Sequence, residues 1–278
     1  MAEADLLDRT YFAAHMDECE SVDLGRWGDA VVFSRGAPDK DSANEDAALL
    51  VAAASNGVVI LVADGMGGRP GGEDASKTLA REIQRCVRAT EPGDVRAAIL
   101  DAIENANRKI LEAGNGSATT LAAVEIAGPA TRPTARAYHV GDSQIVVVGN
   151  RGKVKLQTVP HSPVGFGVEA GLIDEDEALH HDDRHVVSNM VGASDMRMEV
   201  GSPMRLSAMD TVVIASDGLF DNLSVDEVTE LVRKGPLAAA ARRLVELASE
   251  RMNGTQESKP SKPDDLTFIL FRLPARKK

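Results

Sequence analysis

The stretch VVILVADGMGGRPGGEDASKTLA, residues 58–80, decides how the rest of the chain is read. Val58 to Ala63 form an unbroken apolar run of strand length. Asp64 ends it, the glycine-rich GMGGRPGG (65–72) follows, and then Ala75, Leu79, Ile83 and Val87 recur every four residues. That recurrence predicts a helix with one apolar face. Upstream, AALLVAAA (47–54) is equally apolar, and Asn56-Gly57 is a strong hairpin signal. The two runs therefore pair as antiparallel strands. A lone Asp at a strand end is ordinarily a turn residue or a helix cap.

Working outward, residues 1–29 carry no clear period, AVVFS (30–34) reads as a short strand, and RGAPDKDSANED (35–46) as a polar loop. Asp94 is placed to cap a second helix, in which Val95, Ile99, Ala102, Ile103, Ala106 and Ile110 form one stripe. The period then changes to that of strands: ATTLAAVEI (118–126), TARAYHV (134–140), QIVVVG (144–149) and KVKLQTV (153–159), two of them joined by the tight turn Gly141-Asp142-Ser143. Residues 160–195 show little periodicity. TVVIAS (211–216) is another buried strand, helical patterns cover 225–233 and 237–251, and LTFILFRL (266–273) is a last strand. Strands come in blocks with hairpin-length connections, and helices come in pairs. This predicts an α+β domain with antiparallel sheets, not a regularly alternating parallel sheet.

The chain has 278 residues, 43% of them hydrophobic, and a formal net charge of −12. A substantial core is possible. The negative balance argues against nucleic-acid and anionic-membrane partners. No run of 18 apolar residues suggests a transmembrane helix, and the acidic N-terminus lacks a signal-peptide layout. Cys19 and Cys86 do not make a disulfide framework, which predicts a cytoplasmic protein. An acidic protein acting on an anionic substrate needs a cation to offset the repulsion.

Asp64 has company. Asp46 in NED precedes a strand, Asp142 lies between two strands, Asp217 follows TVVIAS, and Asp264 and Asp265 precede the last strand. Each alone reads as a turn. Acidic sites repeated at five ends of the most apolar strands read as a cluster of hard oxygen ligands, suited to Mg²⁺ or Mn²⁺. Gly65 lets its backbone approach closely, so that its carbonyl could also face a metal.

The ordered set NED, DGMGG, GSATTL, GDS, SDGLFDNL and DDLT, spanning about residues 28–273, resembles the metal-dependent protein serine/threonine phosphatases of the type 2C class, in their bacterial form. The resemblance implies a four-layer α-β-β-α sandwich, two antiparallel sheets flanked by helix pairs. It implies that Asp64 bridges two metal ions, with Asp46 and the Gly65 carbonyl on one side and Asp217 and Asp264 on the other. Asp142 with Asp217 would hold a weaker third ion, and Glu45 would orient a metal-bound water. That water, deprotonated, would attack phosphorus in line without a phosphoenzyme. Substrates would be proteins phosphorylated by a serine/threonine kinase, and the chain would act as a monomeric single domain, residues 1–278, with a flap at about 160–195.

The sequence departs from the family pattern in places. Asp41 stands where many members carry a phosphate-contacting Arg, leaving Lys40 and Arg35 as substitutes. Asp265 stands where Asn is usual, and Met66 where some members have a His. His161 is a candidate general acid, the plainer reading being a loop histidine. Residues 160–183 match a substrate-selecting flap, or an ordinary surface loop. The pair His180-His181 lacks the companions of a zinc site. No Gly-Lys-Ser/Thr follows the glycine run, so it is no nucleotide loop. The rival to an enzyme is an inactive, phosphoprotein-binding family member. The retained carboxylates disfavour it.

Overall fold

The computed structural model describes residues 8–38, 40–53, 57–66, 71–90, 95–129, 131–255 and 259–273. In chain order the strands and helices are β1 (Arg9–Phe12), β2 (Glu20–Asp23), β3 (Asp29–Arg35), β4 (Ala47–Ala53), β5 (Gly57–Ala63), β6 (Gly65–Met66), α1 (Gly71–Ala89), α2 (Val95–Ala113), β7 (Ala118–Thr119), β8 (Leu121–Ala127), β9 (Thr134–Val140), β10 (Gln144–Val148), β11 (Val154–Gln157), α3 (Pro163–Glu169), α4 (Glu175–Leu179), β12 (Glu199–Val200), β13 (Met204–Arg205), β14 (Thr211–Ala215), α5 (Asp217–Phe220), α6 (Val225–Val232), α7 (Leu237–Met252) and β15 (Leu266–Arg272).

The central strands are apolar along their whole length because both faces are covered. On β5, Val58, Ile60 and Val62 face the core between the sheets, while Val59, Leu61 and Ala63 face a second core under helices. On β15 the split is Ile269 and Phe271 inward, Phe268 and Leu270 outward. One sheet runs β1-β4-β5-β8-β9-β12, with β13 also on β9; the other runs β11-β10-β14-β15-β3-β2. Every pairing in both is antiparallel.

Leu79, Ile83 and Val87 of α1 and Ile99, Ile103 and Ile110 of α2 cover the outer face of the first sheet. Val228 and Val232 of α6 with Ala241, Leu244 and Ala248 of α7 cover the second. The result is the α-β-β-α sandwich that the motif order implied. Among the described residues, no helix is long and apolar enough to cross a membrane.

Some local readings change. Residues 1–29 contribute two edge strands, β1 and β2, in which only Val22 is buried, so they give no apolar period. ATTLAAVEI divides at Thr120 into β7 and β8, which join different sheets. The aperiodic 160–195 region holds two short helices. The Ser162 hydroxyl accepts from the Gly165 N–H to start α3, and Asp174 and Glu177 form a reciprocal cap on α4. Asn56 and Asp94 lie outside the described residues; β4 and β5 pair antiparallel as expected, but Gly57 is the first residue of β5, opposite Ala53, and not half of a two-residue turn.

Candidate metal centre

The β4–β5 register pairs Ala47 with Ala63, so the next residues, Asp46 and Asp64, leave the same end of the first sheet side by side. The Asp64 backbone is fully tied. Its N–H donates to Thr120 Oγ1 (2.9 Å), and its carbonyl accepts from Thr119 Oγ1 (2.8 Å) and the Thr120 N–H (2.9 Å). The threonines of ATTL thus fix the main chain and leave the carboxylate to be aimed. A Cβ at Gly65 would lie 2.2 Å from the Gly72 carbonyl oxygen and 2.6 Å from that of Glu45, and one at Gly72 would lie 2.4 Å from Glu45 Oε1. Only bare backbone lets the start of α1 pack this closely on the loop. The Ser76 hydroxyl, one turn further on, donates to the Glu45 carbonyl (2.6 Å).

The second sheet brings its own carboxylates to the same end. β14 pairs with β15 at Ala215 and Phe268, and the Ser216 N–H donates to the Thr267 carbonyl (3.0 Å). Asp217 therefore opens α5 beside the entry to β15, where Asp264 lies. β10 pairs Gln144 with Ala215, which sets the Gly141–Ser143 turn, and buried Asp142, alongside. The two sheets are stitched here: Ser216 Oγ donates to Asp46 Oδ2 (3.0 Å).

The carboxylates pay for this proximity in proton affinity. Burial, then the neighbouring carboxylates, push Asp46, Asp64 and Asp142 well above the ordinary carboxylate range. Burial and Asp217 raise Asp264 to about 6, and burial and Asp217 raise Asp221 to about 7. Two buried oxygens, Asp46 Oδ1 and Asp217 Oδ1, have no hydrogen-bond partner. Orphaned acceptors in a set of hard oxygen donors fit a divalent cation such as Mn²⁺ or Mg²⁺.

A pH dependence follows. These groups hold protons in the folded chain at pH values where the unfolded chain has released them. Stability without metal is then fully present below about pH 4 and lost as pH rises through the folded values near 6 and 7. Melts in chelator should fall by about 5 °C or more between about pH 5 and pH 8, and millimolar Mn²⁺ should remove the fall. A flat or rising chelator series would overturn the electrostatic reading.

The structure places the other candidates as follows. Lys40 Nζ lies 2.7 Å from Asp265 Oδ2 and 3.2 Å from Glu45 Oε2, beside the cluster. Burial lowers its proton affinity, but the hydrogen bonds and charges of Asp265 and Glu45 outweigh that and raise it. Asp265 also accepts from the Ala37 and Glu45 N–H groups (both 2.8 Å), so Asp265, a departure from the family pattern, is the partner of Lys40, the candidate substitute for the missing arginine. Arg35 instead donates to the Met16 carbonyl (2.8 Å) and to Asp17 (3.0 Å).

His161 is 3% exposed. Its Nδ1 accepts from the Gly141 N–H (3.0 Å) and lies 2.8 Å from Asn189 Nδ2, which leaves its own proton on Nε2, 3.3 Å from Glu199 Oε1. It thereby braces the turn that carries Asp142. His139, His161 and Glu199 bring three potential ligand atoms within 4.8 Å of one another. His139 Nε2 is spent on the Ser143 carbonyl (2.9 Å), its Nδ1 is unpartnered, and burial, then His161, push its proton affinity down to about 3. His181 Nδ1 accepts from the Asp183 N–H (3.0 Å), as a cap.

Two residues escaped the sequence reading. Asp221 lies one helical turn after Asp217, a spacing that could have found it. Lys262 reaches Asp217, Asp221 and Asp264. Burial lowers its proton affinity, and the three carboxylates, Asp217 first, reverse that and raise it.

Residues 35–257 match the family model of Protein phosphatase 2C. The chain belongs to that family. A protein phosphatase 2C-type sequence of Streptococcus pyogenes is 34% identical over 203 residues, covering 69% of this chain and 80% of that one. The serine/threonine protein phosphatase PstP of Mycobacterium tuberculosis is 30% identical over 220 residues, 76% of this chain and 40% of PstP. Among solved structures, the serine/threonine phosphatase of S. agalactiae has a TM-score of 0.74 at 28% identity, covering 88% of this chain and 98% of the other. The catalytic domain of PstP in complex with two manganese ions has a TM-score of 0.70 at 25% identity, covering 88% and 97%.

Proposed function

We infer that this 2C-family chain is a metal-dependent phosphatase of phosphoserine and phosphothreonine in proteins. The observation that carries the reading is the convergence of carboxylates from both sheets on one end of the sandwich, with Asp46 Oδ1 and Asp217 Oδ1 buried and unpartnered. Asp46, Asp64, the Gly65 carbonyl, Asp217 and Asp264 would hold two divalent cations, Mn²⁺ or Mg²⁺. Cations there supply Lewis acidity to a phosphoryl oxygen and acidify water as the nucleophile.

The chain's own residues supply position. Thr119 and Thr120 hold the Asp64 backbone still. Ser76 and Lys40 hold Glu45, which would orient the attacking water. Lys40 also brings a positive charge to the rim, where a phosphate dianion would arrive. Beside Asp142 and Asp217 opens a cavity of about 330 Å³, walled by Val164, Val168, Leu179 and Phe220. It lies under α3 and α4, so the 160–195 flap would seat a substrate side chain next to the phosphate.

The whole chain would act as one domain and as a monomer, on substrates of a serine/threonine kinase. The free thiols Cys19 and Cys86 support a cytoplasmic setting. The test is hydrolysis of phosphoserine, phosphothreonine and phosphotyrosine peptides. Turnover of the first two with Mn²⁺, abolished by chelator, is expected. Tight peptide binding without hydrolysis would instead favour a phosphoprotein-binding module.

A further inference from the structure

Lys262 precedes Asp264 by two residues, yet its side chain does not leave for solvent. Its Nζ lies 2.5 Å from Asp217 Oδ2, 2.8 Å from Asp221 Oδ2 and 3.1 Å from Asp264 Oδ2. An ammonium has three N–H donors, and each meets a carboxylate. The backbone holds it there. The Lys262 N–H donates to Asn222 Oδ1 (3.0 Å), and Asn222 Nδ2 donates to the Lys262 carbonyl (2.9 Å) and to that of Gly218 (3.0 Å). Asn222 is wholly buried at the end of the turn that carries Asp217 and Asp221. The loop before β15 is thereby fastened to α5 on either side of the ammonium. A surface lysine would lose side-chain entropy for little return in such a pose; this one is pre-positioned.

Which oxygens it takes is equally informative. Lys262 takes one oxygen of each carboxylate, while Asp217 Oδ1 stays buried and unpartnered. Asp46 and Asp64 are not among its partners in any of these contacts. Its charge sits at the Asp217–Asp221 corner, close enough to act on Asp142, and it touches the Asp217–Asp264 side of the central four while reaching neither Asp46 nor Asp64. That corner is where the motif resemblance placed a weaker third cation.

We propose that the Lys262 ammonium takes the place of that third cation, so that the chain loads two divalent ions and carries the remaining positive charge covalently. The proposal rests on the two-cation reading above. A tethered charge has an effective concentration set by its short stem, not by the metal supply. The corner would stay neutralised at metal concentrations too low to fill a weak site.

The test counts bound Mn²⁺ by equilibrium dialysis, with free ion measured by paramagnetic resonance. The wild-type chain should bind two Mn²⁺ and no more into the millimolar range. Lys262→Gln should gain a third ion, at least about tenfold weaker than the first two. Lys262→Gln with Asp142→Asn should lose that gain. Lys262→Arg keeps the charge and should stay at two, and melts of each variant in Mn²⁺ confirm that it is folded. Three ions on the wild-type chain would overturn the proposal. So would two on a folded Lys262→Gln, or an unchanged count with tighter core binding, which would mean that the lysine competes with a central ion. No Mn²⁺ on the wild-type chain would be a different failure, that of the metal centre itself.

Discussion

Asp64→Asn should lower turnover by about three orders of magnitude or more at saturating Mn²⁺, and at the same time raise the melting temperature of the metal-free protein. The two effects share one cause. Asp64 is held well above the ordinary carboxylate range by burial and by Asp46, Asp217, Asp264 and Asp142. Without metal its charge is a liability, and an amide of the same size removes it. With metal the same charge is the one proposed above to be shared by two cations. The backbone bonds from Thr119 and Thr120 do not depend on the side chain, so the loop should keep its course. The paired measurements are single-substrate kinetics in Mn²⁺ and thermal melts in chelator. Near-normal turnover would remove Asp64 from the centre of the mechanism. Lost turnover with a lowered chelator melt would mean that Asp64 is structural.

Gly218→Ala should disable the site by a different route. A Cβ at Gly218 would lie 2.0 Å from the Asp265 carbonyl oxygen and 3.0 Å from its carbon. Both are backbone atoms and cannot swing aside, so α5 and the entry to β15 must separate. Asp217 and Asp264 ride on those two segments. The expected cost is about 1–3 kcal/mol in denaturant unfolding, as for overpacking generally, with Mn²⁺ affinity reduced by at least about tenfold in calorimetry. Gly36→Ala is the control, since its nearest neighbour would be 3.6 Å away. That variant should stay within about 0.5 kcal/mol of wild type. Wild-type affinity in Gly218→Ala would show that the two segments tolerate separation.

The sequence made the ends of β4, β5, β14 and β15 legible because those strands are covered on both faces. An unbroken apolar run that stops at Asp64 or Asp217 leaves a sharp mark. β1 and β2 left none, because edge strands of four residues with partly exposed faces need no period. The α3 and α4 helices were hidden by shortness, although Ser162-Pro163 and Asp174 with Glu177 carry readable capping signals. Lys262 could not be read at all. Its place depends on Asn222 tying a distant loop to α5, a tertiary contact across 40 positions that no local pattern encodes.

The division of the carboxylates between the sheets has a mechanical side. Asp46 and Asp64 leave the first sheet, Asp217 and Asp264 the second, and Ser216 to Asp46 spans them. Ions held by all four would act as a rivet through the sandwich, and the spacing between them as a gauge of its thickness. Side chains such as Val62 and Ile214, deep in the layer between the sheets, set that thickness without touching the site. Trimming them should loosen the rivet first, so that metal affinity registers a thinner core before any strand comes apart.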